Sequence, residues 1–201
     1  YMDNGVPRAR LYGRYIAAIQ ASGARYLRAT PRTITLGAVR VRVLAPPDDR
    51  LSLPAADQNN RSVGLLIEYG PFRALFTGDS QREELGYWLE TDSLSSVAVL
   101  KVAHHGSGNG TTAEWVARVH PSVAVISVGH NSYGHPSRAV VAAWCGAGAM
   151  VLRTDASGTI VVRADSTGHT RVTRLRDPIL RSGEAPADSE LAPVSACGGR
   201  R

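Results

Sequence analysis

Three apolar runs in this chain each stop at glycine beside a carboxylate or an imidazole, and this constrains the possible folds more than any other feature. They are Leu75-Phe76-Thr77-Gly78-Asp79, a run from Val97 ending in Leu100-Lys101-Val102-Ala103-His104-His105-Gly106-Ser107, and Ser127-Val128-Gly129-His130-Asn131-Ser132-Tyr133-Gly134-His135-Pro136. Short aliphatic and β-branched runs bounded by glycine read as buried strands. A layered fold can turn its chain at such glycines, so all three loops are expected at one edge of a sheet. Asp and His side chains converging there suit a divalent cation.

The segments between these runs set the fold class. Pro7 is placed as the first residue of a helix whose apolar positions Leu11, Tyr15, Ile16 and Ile19 recur at helical spacing until Gly23. Thr33 to Leu36 and Val39 to Leu44 alternate with period two across Gly37, which predicts a half-exposed hairpin with Val39, Val41 and Val43 opposite Arg40 and Arg42. A polar loop from Pro46 to Arg61 leads to strands over Ser62 to Tyr69 and Phe72 to Thr77, joined at Gly70-Pro71. Helix Glu83 to Glu90, strand Val97 to Ala103, helix Thr112 to Val119, strand Val123 to Val128, helix Ser137 to Gly146 and strand Met150 to Arg153 then alternate, which argues for an α/β layered domain. Strand Thr159 to Arg163 follows a turn at Asp155 to Gly158, and Thr170 to Leu175 is expected as an edge strand. From Pro178 the composition shifts to Pro, Ala, Ser, Glu and Gly, so 178–201 is expected as a disordered tail.

At 201 residues and 43% hydrophobic content the chain is one domain with a sizeable core. Its net charge of +6 comes from 23 basic residues of which Lys101 is the only lysine, a balance that permits a polyanionic partner such as DNA. No apolar run approaches the roughly 18 residues of a membrane span, and no signal peptide is apparent. Cys145 and Cys197 form no C-x-x-C and no obvious disulfide framework. The opening Tyr1-Met2-Asp3-Asn4-Gly5 reads as the interior of a longer protein.

Each candidate residue has a structural alternative. Asp79, after glycine at a strand end, needs a partner for its charge, either a metal or a capping role with Ser80 before Glu83 and Glu84. If the strand persists, His104 and His105 point to opposite faces; His104 shares its face with Leu100 and Val102 and is preferred as the inward ligand, leaving His105 to move protons. His135, at the mouth of the helix from Ser137, is a third imidazole candidate, whereas His130 is expected to be solvated and His120 and His169 to have no chemical role. Ser107 and Asn131 lie in the same loops as candidates to meet substrate. Imidazole with carboxylate suits zinc or manganese.

In their order, the Thr77-Gly78-Asp79, Leu100 to Ser107 and Tyr133-Gly134-His135-Pro136 motifs resemble the downstream motifs of metallo-β-lactamase-fold hydrolases, most of all the ComEC-type branch of competence DNA-uptake channels and their stand-alone relatives. Asn59-Asn60-Arg61-Ser62 and the Asp155 to Gly158 turn also resemble that branch, and the likeness covers about Asn59 to Val162. The resemblance implies an αββα sandwich of which residues 1–177 form the downstream portion, with Asp79, His104 or His105, and His135 as ligands of one or two zinc or manganese ions. It further implies hydrolysis of a phosphodiester, with DNA and a membrane channel domain as partners and a bacterial, extracytoplasmic or membrane-associated setting. The upstream His-x-His-or-Asp-x-Asp-His cluster has no counterpart, since Tyr1 to Gln58 contains no histidine. The missing half of the domain is thus an expected partner, and a degenerate, noncatalytic module that binds DNA or packs against a channel is the other reading.

Overall fold

A computed structural model of the protein describes residues 2–3, 10–45, 58–175 and 196–197. Its centre is a seven-stranded sheet in the order β3 (Arg32–Leu36), β4 (Val39–Leu44), β5 (Gly64–Tyr69), β6 (Phe72–Phe76), β7 (Val99–Lys101), β8 (Val123–Ile126) and β9 (Met150–Arg153). Pairing is antiparallel from β3 to β6, with tight hairpins joining β3 to β4 and β5 to β6, and parallel from β6 to β9, where helices intervene. A short parallel pair, β1 (Met2–Asp3) with β2 (Leu27–Arg28), flanks helix α1 (Arg10–Ala21). The α/β class expected from the alternation is the one adopted.

Period-two alternation sends each strand's residues to two different cores. Leu66, Leu75, Leu100, Ala124, Ile126 and Val151 face α2 (Arg82–Thr91), α3 (Ala113–Val119) and α4 (Arg138–Gly146), whose Trp88, Trp115 and Trp144 are fully buried among them. Ala74, Val99, Val123 and Leu152 face the opposite way and meet Ile160, Val162 and Val172. Those three belong to a ribbon of β10 (Thr159–Ala164) and β11 (Thr170–Leu175). The segment expected as an edge strand of the main sheet therefore pairs only with β10, in a separate two-stranded sheet. Between β9 and β10 the chain makes one helical turn, α5 (Thr154–Ser157).

Two further expectations are corrected. The strand from Val97 stops at Lys101, and Ala103–Gly106 forms a tight turn instead. Cys145 and Cys197 are joined in a disulfide across 52 residues of sequence, and Ala196 N–H donates to Val151 O beside β9. Spacing gave no hint of the pair because only the packing of the chain's end against α4 brings the two thiols together. The expected tail beyond 177 otherwise lies outside the described residues, as do the helix start at Pro7 and most of the loop from Pro46.

The ribbon covers only part of its side of the sheet. Register places Ile34, Leu36, Val41, Ile67 and Phe76 on that side, and Ile34, Leu36 and Phe76 are 36%, 64% and 41% exposed. On α1, Leu11 and Tyr15 are also open, at 73% and 49%. Apolar surface of this extent favours association. Sedimentation of the purified 201-residue chain is expected to give dimers or larger species; a monomer that unfolds sharply and cooperatively contradicts this.

Candidate metal centre

The three glycine-ended runs meet at one end of the sheet. After β6, Gly78 takes φ +56°, and a Cβ there would come within 2.9 Å of Ser62 Cβ. That close approach lets Asp79 N–H donate to Ser62 Oγ (3.0 Å). Lys101, at the end of β7, donates from Nζ to Gly78 O (2.8 Å), with the Asp79 carboxylate 3.9 Å away. Burial lowers the Lys101 pKa, and the Asp79 charge partly offsets that. Asn60 secures the following turn, its Oδ1 accepting from Gln81 N–H and its Nδ2 donating to Glu83.

The capping alternative for Asp79 does not hold. The residue at the N-cap of α2 is Gln81, with no side-chain cap; Ser80 Oγ donates to Thr77 O, and Glu84 is buried with Oε2 accepting from Ser62 N–H. Asp79 is left half-exposed and facing the histidines.

Because the chain leaves β7 at Lys101, the strand alternation behind the preference for His104 does not apply. His104 and His105 both take left-handed conformations, at φ 47° and 54°, which non-glycine residues adopt at a cost and which recur at functional sites. His105 Nδ1 donates to Ser127 O (2.7 Å), and its Nε2 faces Asp79 Oδ1 at 3.4 Å. His104 Nδ1 donates to Asn109 Oδ1 (3.2 Å), an oxygen that also accepts from Ser107 Oγ. In each ring Nδ1 is therefore the donating nitrogen, and Nε2 is the nitrogen left to face the site. The His104 and His135 rings lie 5.7 Å apart, the His104 and His105 rings 6.4 Å.

Gly106 packs the His105 loop against the His135 loop, since a Cβ there would come within 2.6 Å of Pro136 Cβ, and its carbonyl accepts from Ser137 N–H. Asn131 clasps His135, accepting from its N–H (3.0 Å) and donating to its C=O (2.9 Å) while also bonding Tyr133 N–H and Gly129 O. Asn131 is thus committed to its own loop. Ser107 is buried and committed to Asn109. Tyr133 stacks on His135 from the solvent side. Burial, and then the neighbouring His104 and His105, hold the His135 pKa below its ordinary value.

Asp79, His104, His105 and His135 are therefore brought to one patch, while His130 is exposed, His120 ends α3 in a left-handed turn and His169 sits in the β10–β11 loop. Two ligands of one tetrahedral zinc lie about 3.3 Å apart, close to the Asp79–His105 spacing of 3.4 Å. Among the described residues, however, no three His, Cys, Asp or Glu close on a common ion. The donor types fit zinc or manganese, but the set is incomplete. Sequence reasoning did not assign a role in the site to Lys101, Ser62 and Asn60, the groups that hold the Asp79 turn; the Asn59 to Ser62 motif and a single lysine in an otherwise apolar strand were the available signals.

No family model matches the chain. It is 37% identical over 109 residues to ComE operon protein 3 of Bacillus subtilis, covering 54% of this chain and 14% of that protein. It is 34% identical over 133 residues to Competence protein ComA of Neisseria gonorrhoeae, covering 65% and 18%. The chain is a sequence relative of proteins named for competence. Recombination protein 2 of Haemophilus influenzae is 33% identical over 84 residues, covering 41% and 10%, so the chain spans less than a fifth of each relative's length. Among solved structures, the CmlA beta-hydroxylase E377D mutant matches 87% of this chain and 39% of its own at 15% identity and a TM-score of 0.49, a likeness too low to carry an argument.

Proposed function

We propose that this chain is the downstream portion of a metal-dependent hydrolase of the metallo-β-lactamase fold that acts on nucleic-acid phosphodiesters during competence DNA uptake. The observation that carries this reading is the Asp79–His105 pair, two donors at ion-sharing distance with His104 and His135 beside them. In this reading Asp79 and His105 form the ligand pair, His104 and His135 complete the imidazole wall, and the remaining donors come from outside the described residues. The similarity to competence proteins supplies the DNA-uptake setting, and the net charge of +6 is compatible with phosphate contacts.

The test measures zinc- or manganese-dependent hydrolysis of single-stranded DNA. The 201-residue chain alone is expected to stay near background, because its donor set is open on one side. A longer protein that adds the missing donors is expected to be active and to lose at least about 100-fold with Asp79→Ala, since even groups that only support a ligand are worth about 10–100-fold. Hydrolysis undiminished by Asp79→Ala and His105→Ala overturns the reading.

The incomplete donor set also favours a second reading, a noncatalytic module that binds DNA or packs against a channel. Metal-independent, salt-sensitive DNA binding without hydrolysis in the longer protein distinguishes it.

A further inference from the structure

We infer that Thr154, on the far side of β8 from the histidine turn, is a positioning residue that sets the orientation of the His105 ring. The inference rests on the reading of His105 as a working side chain of the site. The link between the two residues is a single peptide unit. Thr154 Oγ1 accepts from Val128 N–H (2.7 Å) and donates to Val128 O (2.7 Å), clasping residue 128 from both sides. The Val128 N–H belongs to the same planar unit as the Ser127 carbonyl, and in a trans peptide the two groups point in opposite directions. Holding the N–H toward Thr154 therefore aims the carbonyl the other way, where His105 Nδ1 donates to it at 2.7 Å. That bond turns Nε2 toward Asp79.

The segment that needs this clasp is irregular. β8 ends at Ile126, so no ladder fixes the 127–128 peptide, whereas Thr154 follows directly on β9 and opens the turn capped by Gly158. The hydroxyl substitutes for the missing ladder bond, and it does so at the peptide whose carbonyl meets His105. His104 offers an internal comparison, because its Nδ1 is held by Asn109 instead.

Nitrogen-15 NMR of the histidine-labelled 201-residue chain, with neither metal nor DNA present, reads the tautomer of each ring. In the unsubstituted protein His105 is expected to keep a proton on Nδ1, donated to the Ser127 carbonyl. Thr154→Ala and Thr154→Val are expected to give a mixture of tautomers at His105 with faster exchange of its Nδ1 proton, to leave His104 unchanged, and Thr154→Ser to restore the original spectrum. A His105 tautomer unaltered in folded Thr154→Ala or Thr154→Val overturns the inference. If neither of those variants folds, the unsubstituted protein decides: a dominant Nε2–H form at His105 overturns it, and Nδ1–H in both that protein and Thr154→Ser upholds it. Because the readout contains no hydrolysis, failure of the proposed activity and failure of this positioning role are separate results.

Discussion

Replacing Cys145 and Cys197 together by serine is expected to destabilise the chain by about 4 kcal/mol, the loop-closure value for a bridge enclosing about 50 residues. The bridge spans 52 residues of sequence, a stretch that includes β9, β10 and β11. It also fixes the position from which Ala196 N–H donates to Val151 O, so its loss frees that hydrogen bond as well. Both sulfurs pack against the helix-side core, beside the cluster that contains Trp144 and Val140. For a domain of this size a loss of that magnitude lowers the melting temperature by about 10 °C. Urea unfolding of the double variant, set against the unsubstituted chain with and without dithiothreitol, provides the check. The reduced chain should behave as the variant does, and a difference below about 1 kcal/mol between oxidised chain and variant would count against a structural role for the bridge.

Glu84→Gln is expected to stabilise the protein at pH 8 and to change it little near pH 4.5. Glu84 lies on the buried face of α2 at 2% exposure, and its pKa is pushed up to about 8 by burial, against the opposing hydrogen bonds from Ser80 and Ser62. Among the described residues Oε1 has no hydrogen-bond partner, so a full negative charge on this carboxyl is only partly offset. The folded carboxyl holds its proton between the ordinary value of 4.5 and about 8 while the unfolded one releases it. The folded state then binds more protons, and stability is full below pH 4.5 and falls as pH rises through that window. At about 1.36 kcal/mol per unit, the accumulated loss reaches at most about 5 kcal/mol by pH 8. The amide introduced by the substitution carries no proton to lose, and its oxygen can still accept from Ser62 N–H. Urea midpoints at about pH 5, 6.5 and 8 should therefore diverge, with the variant increasingly the more stable. Parallel curves across that range would mean that Glu84 does not titrate as its burial implies.

Much of the fold was legible because its signals are local. Met150 to Arg153 and Thr170 to Leu175 form strands over the expected residues, and the hairpins turn at Gly37 and at Gly70-Pro71 as their residue types require. The gathering of Asp79, His104, His105 and His135 was legible for a similar reason: three apolar runs ending in glycine leave their polar residues at a sheet edge. Orientation within that patch was not. His105 rather than His104 faces Asp79 because two consecutive left-handed residues break the strand's alternation, and no periodicity encodes that break.

Other outcomes turned on partners distant in sequence. Asn131 and Ser107 read as available polar residues, yet hydrogen bonds within their loops occupy them. Asp79 or Ser80 before Glu83 and Glu84 read as a capping box, yet Glu83 binds Asn60 and Glu84 is buried beneath Ser62. Thr154, Lys101 and the Cys145–Cys197 bridge act across 26, 23 and 52 residues respectively. Strands, helices and turns could be read from the residues in order, because steric preference and hydrophobic period act between near neighbours. Which imidazole meets the carboxylate, which cysteines bond and which carboxyl is buried were settled only on folding, because those depend on the packing of segments that meet nowhere else.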